Sequence, residues 1–151
     1  MKRRGREALG KLQIHTKFVP DLDELPQLNR AYVERIIDRS LQRLGMERLD
    51  LVQFHWWDFE IPGYVDTAYH LQDLKKAGKI LHLGVTNFDV PRLKEILRSG
   101  VEIVSNQVQY SFLDQRPENG MAGFAQEYGI KLLCYGSLAG GFVSERYLGV
   151  P

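Results

Sequence analysis

Five positions in this chain carry side chains that could do chemistry together: Lys17, His55, Asn87 (with Thr86 beside it), Gln107 and Tyr135. Each closes a short apolar run. A lysine offers a standing positive charge, a histidine a group that titrates near neutrality, and a tyrosine a flat ring. Two carboxamides suit recognition of another carboxamide, because each offers a donor and an acceptor. An aromatic ring suits stacking on a flat heterocycle. Nicotinamide has both features. No serine or cysteine nucleophile pairs with a base among these positions, which argues against acyl transfer. One cysteine, Cys134, and four scattered histidines give no metal-ligand spacing, so no metal site is expected. The same strand-end positions also suit residues that only cap a barrel or satisfy loops.

Chemistry therefore depends on whether the elements bring these residues together. Apolar runs at residues 12–16, 49–54, 80–86, 101–106 and 130–134 have the length of buried strands. Helical patterns lie between them. Asn29 caps the strongest, whose apolar stripe is Val33, Ile36, Ile37, Leu41 and Leu44. Arg30, Arg35, Arg39 and Arg43 lie largely off that stripe. Glu34 and Asp38 among them indicate a solvated face rather than a phosphate-binding one. A second helix, residues 65–77, turns Ala68, Leu71 and Leu74 inward and stops at Gly78. Asp89 caps a third, with Pro91 in its first turn and Gly100 after its end. A weaker fourth carries Phe124, Ala125 and Tyr128 and stops at Gly129. Residues 1–10 read as the basic last turns of one more helix, and residues 136–141 as a glycine-rich loop.

Strict alternation of strand and helix demands right-handed crossovers and a parallel sheet covered by helices. In such a sheet the five strand-end residues project toward one rim, where α/β proteins place their sites. The fold class is α/β, either a doubly wound open sheet or part of an eight-stranded barrel. Five strands are too few to close a barrel that usually takes eight strands and about 250 residues.

At 151 residues one domain spanning residues 1–151 is expected, with 44% hydrophobic and 26% charged residues. Twenty basic and 19 acidic residues leave a net charge of +1, which gives no general reason to expect nucleic acid or membrane. The basic start is followed by no apolar run, so it does not read as a secretory signal. A lone cysteine fits a reducing cytoplasm.

The motifs His15-Thr-Lys17, Leu49-Asp-Leu-Val-Gln-Phe-His55-Trp56, Gly84-Val-Thr-Asn-Phe88, Asn106-Gln-Val-Gln-Tyr-Ser111 and Tyr135-Gly-Ser-Leu-Ala-Gly-Gly141 together resemble the aldo-keto reductase family. They follow the family's order across nearly the whole chain. The resemblance implies an incomplete (β/α)8 TIM barrel, its five parallel strands matching the family's third to seventh. It implies NADPH-dependent reduction of an aldehyde or ketone without metal. Carried over by position, Lys17 and His55 match the active-site lysine and histidine. Thr86, Asn87 and Gln107 match the residues that hold the nicotinamide carboxamide. Tyr135 matches the aromatic residue stacked on the ring, and Ser137, Leu138 and Gly140 the loop along the pyrophosphate. Trp56 matches a residue near the substrate pocket; Trp57 shares that expectation, with a packing role open for either.

In the family the proton-donating tyrosine lies before the lysine, whereas all seven tyrosines here follow Lys17. The resemblance thus implies that this chain alone reduces carbonyls poorly. The alternatives are a non-catalytic nicotinamide-nucleotide-binding or regulatory module, or an inactive truncated fragment. The two outer strands of an incomplete barrel are bare edges, so self-association is also expected.

Overall fold

The computed structural model describes residues 12–149, so the expected helix over residues 1–10 lies outside the described residues. Five strands and four helices alternate: β1 (His15–Phe18), α1 (Arg30–Leu44), β2 (Leu49–His55), α2 (Tyr64–Lys76), β3 (Ile80–Thr86), α3 (Val90–Arg98), β4 (Ser105–Gln109), α4 (Met121–Glu127) and β5 (Lys131–Tyr135). All four strand pairings are parallel and sequential, giving the order β1-β2-β3-β4-β5. Each crossover carries one α-helix, joined by a 3-10 helix in the first (Leu22–Gln27) and the last (Arg116–Glu118), and this is a five-stranded portion of a β/α barrel.

The helices begin and end where the sequence supplies caps. Asn29 accepts a hydrogen bond from the Tyr32 backbone N–H at 3.0 Å, and Asp89 does the same for Arg92 at 3.0 Å. Gly45, at φ 65°, closes α1 in the left-handed conformation that favours glycine. One side of the sheet packs against the helices. Phe18, Val52, Phe54, Leu83 and Val85 meet Val33, Ile37, Ala68, Leu71, Leu93 and Ile96 in one buried cluster. The four arginines of α1 are exposed, as a solvated face should be.

Four of the five strands differ from their expected bounds, β2 by running on to include His55. β1 starts at His15 rather than residue 12, so Lys17 lies within the strand and not after it. Ahead of it the Ile14 N–H donates to the Asp50 carboxylate at 3.0 Å, which replaces a ladder bond. β4 starts at Ser105 rather than residue 101, although Val101 and Ile103 are buried. Burial there comes from loop packing, which an apolar run cannot distinguish from a strand. β5 runs one residue later than expected and includes Tyr135.

The opposite side of the sheet faces inward in a barrel, and residues two apart along a strand share it. The register sets Lys17, Gln53, Gly84 and Ser105 abreast in one row. His55, Thr86 and Gln107 stand abreast in the next row toward the strand ends. Gly84 is required where it stands. A Cβ there would come 2.3 Å from Ser105 Oγ and 3.1 Å from the Ser105 carbonyl oxygen.

Candidate active site

Lys17, His55, Trp57, Thr86, Asn87, Gln107 and Tyr135 line one cavity of about 450 Å³, together with Val19. That volume is within the range of small-molecule sites, roughly 300–1,000 Å³. Residues that stand up to 118 positions apart in sequence (17 to 135) are thus gathered by the parallel register. All five strands contribute directly, and Asn87 follows the end of β3.

Consecutive residues of an extended strand point to opposite faces, yet Thr86 and Asn87 both line this cavity. The backbone at Asn87 makes that possible. Its φ is 59°, a left-handed conformation that asparagine tolerates better than most residues, and its N–H donates to the Gln107 carbonyl at 2.9 Å. The chain turns at the strand end and brings a second polar side chain to the same side.

His55 is held by its neighbours. Its Nδ1 lies 3.3 Å from the Thr86 carbonyl oxygen. A carbonyl only accepts, so this contact places a proton on Nδ1 and leaves Nε2 for the cavity. The Trp57 ring packs on the imidazole edge to face, with centroids 4.5 Å apart at 89°. Trp57 is itself tied to the loop after β1, its indole N–H donating to the Pro20 carbonyl at 2.8 Å. Lys17 has no ion pair or hydrogen bond among the described residues, so its ammonium is a free charge on the cavity wall.

The remaining wall is rich in unanswered polar atoms. Thr86 Oγ1 and Gln107 Oε1 are buried with no hydrogen-bond partner among the described residues. The Tyr135 hydroxyl donates to Asn87 Oδ1 at 3.2 Å. A primary carboxamide on a flat ring is the ligand group this wall fits: its NH2 would answer the unpaired acceptors, and the tyrosine ring offers a stacking face.

Trp56 is not part of this site, contrary to expectation. It is 2% exposed and packs edge to face on Phe54 at 5.9 Å. Its indole N–H donates to the carbonyls of Asp58 (2.8 Å) and Ile61 (3.1 Å). The cause is strand alternation. Trp56 shares the helix-facing side with Phe54, while Trp57 returns to the side of His55. Ser137, Leu138 and Gly140 are exposed and line neither this cavity nor the one beside it. Two residues not expected from the sequence join the site's face: Val19, two residues after Lys17, and Gln53, two before His55. Gln53 is buried with Nε2 unpaired among the described residues, one row below His55. Period-two spacing from an already chosen residue was the signal for both.

A second cavity of about 590 Å³ adjoins the first, lined by Asp89, Gln109, Arg116 and Met121 among others. Asn87 and Tyr135 line both.

Residues 1–150 match the sequence model of the Aldo/keto reductase family. This chain belongs to that family. The Bacillus subtilis aldo-keto reductase YhdN is 32% identical over 118 residues, covering 78% of this chain and 35% of the relative. A Bacillus halodurans aldo-keto reductase, solved in its holo form, superposes with a TM-score of 0.77 at 31% identity; the match covers 95% of this chain and 49% of that one. The Klebsiella pneumoniae aldo/keto reductase, solved with NADP and acetate, gives the same TM-score at 25% identity, covering 95% and 49%. The chain thus spans about half the length of these solved structures and about a third of the curated relative.

Proposed function

We propose that this chain forms the nicotinamide side of an aldo-keto reductase active site, binding NADPH for reduction of a small aldehyde or ketone. The observation that carries this reading is the convergence of Thr86, Asn87, Gln107 and Tyr135 on one cavity, with two buried acceptors there still unpaired. Asn87 and Gln107 hold the carboxamide and Tyr135 supports the ring. When bound, the cofactor supplies a hydride. Lys17 and His55 stand on the opposite part of the same wall. The lysine charge favours an ionised neighbour, and His55 Nε2 is free to hydrogen-bond a carbonyl oxygen. Trp57, Val19 and the His55 ring frame the substrate. In keeping with the expected loop role, Ser137, Leu138 and Gly140 meet the pyrophosphate once it is bound. The reducing cytoplasm, which suits a single exposed thiol at Cys134, is the compartment we assign.

A second reading, for these 151 residues acting alone, is a nucleotide-binding module without turnover. Every tyrosine of this chain follows Lys17, and the family's proton donor precedes it. Removing a general acid costs about a hundred- to ten-thousand-fold in rate. Calorimetric titration of the 151-residue chain with NADPH and NADH, beside an assay of NADPH consumption with a reactive aldehyde, separates the readings. Binding is expected, with turnover lower than that of a full-length relative by about that factor. Failure to bind either dinucleotide would overturn both readings.

A further inference from the structure

We infer that Asn106, buried behind the cavity, is a positioning residue for it: its side-chain NH2 holds the Phe88 carbonyl and so keeps Asn87 in the left-handed turn that brings residue 87 to the cavity wall. The inference rests on the nicotinamide reading above for its effect on binding, and on geometry alone for the rest.

Asn106 and Gln107 are neighbours on β4, so their side chains leave the strand on opposite faces. Gln107 lines the cavity. Asn106 is 0% exposed and stands between Val85 of β3 and Leu132 of β5 in the register. Its Nδ2 donates to the Phe88 carbonyl at 2.8 Å and lies 3.6 Å from Sδ of Met121, the first residue of α4. A carbonyl and a thioether only accept, so the NH2 end of the amide is the end that faces them. Two consecutive residues of β4 thus hold two consecutive residues of the turn. The Gln107 carbonyl takes the Asn87 N–H at 2.9 Å, and the Asn106 amide takes the Phe88 carbonyl. Phe88 is anchored a second time by its ring, which packs on Phe54 at 5.5 Å and Phe59 at 5.1 Å. Fixing both the carbonyl and the ring of Phe88 fixes the direction in which the chain leaves Asn87. That matters because φ 59° is a conformation that a residue other than glycine keeps only where its surroundings determine it. Asn106 Oδ1, meanwhile, has no partner among the described residues, which is unfavourable for a buried acceptor. A leucine would fill about the same space without leaving that atom unanswered. Packing therefore gives no reason for an amide at residue 106, whereas the grip of its NH2 on the turn does.

Asn106→Leu removes the grip and keeps the bulk. The first readout needs no cofactor. In the ligand-free wild type, Asn87 is expected to show the strong through-space contact between its own amide and α protons that a left-handed residue gives. In Asn106→Leu that contact should weaken and the Asn87 amide should exchange faster with solvent. The second readout is calorimetric affinity for NADP. It is expected to fall about 2- to 12-fold, the equivalent of one neutral hydrogen bond worth about 0.5–1.5 kcal/mol. A variant that melts lower while keeping the wild-type Asn87 contact and NADP affinity would show that Asn106 serves the fold alone, and would overturn the inference. Should Asn106→Leu not fold, the wild-type chain still decides. Its Asn106 side-chain NH2 is expected to exchange slowly and to couple across the hydrogen bond to the Phe88 carbonyl carbon; an NH2 that exchanges freely overturns the assignment. If the wild type binds no dinucleotide, the nicotinamide reading fails, while the Asn87 contact and its response to Asn106→Leu still decide the role of Asn106.

Discussion

Thr86 carries a hydroxyl that the folded chain leaves unanswered. The residue is buried at the end of β3, between His55 and Gln107 in the register, and its Oγ1 has no partner among the described residues. Burying a hydroxyl without a partner costs about 1–3 kcal/mol. Valine has nearly the same shape, branches at Cβ and suits a strand. Thr86→Val is therefore expected to raise the melting temperature of the ligand-free chain by a few degrees, since 1 kcal/mol shifts a domain of this size by roughly 2–4 °C. The same change should weaken NADPH binding. Opposite signs are what distinguish a ligand-facing hydroxyl from a structural one. A fall in both thermal stability and affinity, by melting and calorimetry, would show that the hydroxyl serves the fold instead.

At the scale of elements, the parts best legible in the sequence were those with local punctuation. β3 spans Ile80–Thr86 as its apolar run indicated, and Asn29 and Asp89 cap the helices they were expected to cap. Tyr135, Gln107 and His55 were found because polar residues closing apolar runs stand out. What was not legible depended on tertiary contacts. Val101 and Ile103 are apolar because loop packing buries them, not because they pair. Trp56 followed the family motif into the expected pocket, whereas strand parity sends it to the core with Phe54. Helix-to-helix ties were equally invisible. Tyr64 of α2 donates its hydroxyl to Glu95 of α3, and Tyr32 of α1 donates to Glu24 in the short 3-10 helix Leu22–Gln27 before it. Burial first, and then the bond to the carboxylate, pushes the Tyr64 pKa up from 10.0 to about 12. The folded state thus holds this proton more tightly than the unfolded state does. The resulting stabilisation is present in full below pH 10 and is lost as pH rises toward and through 12. Chemical denaturation of the wild type should show stability falling across that window. Tyr64→Phe should be less stable at pH 8 and show a shallower fall; an equally steep fall would remove Tyr64 from the account.

At the scale of the whole molecule, the sheet is finished on one face and open on the other. Helices seal the outer face, while the inner face carries Gln53 Nε2, Thr86 Oγ1, Ser105 Oγ and Gln107 Oε1 with no partner among the described residues. These four account for most of the buried unpaired side-chain atoms, so dissatisfaction is concentrated where a full barrel would supply facing strands. The outer strands β1 and β5 each pair on one side only among the described residues. Most side chains of β5 are exposed or half-buried. Leu138, Phe142 and Leu148 add exposed apolar surface just beyond β5. Unpaired backbone groups next to exposed apolar side chains favour strand pairing with another chain. We propose that the 151-residue polypeptide associates with itself through these edges in solution. Sedimentation over a hundredfold range of concentration should show dimers or larger species whose proportion rises with concentration. Introducing Leu133→Lys on the inner face of β5, together with Leu132→Pro to remove a backbone donor from that strand, should shift the population toward smaller species. A wild type that sediments as a sharp monomer throughout and melts cooperatively would mean that the open face and its edges are tolerated as they are.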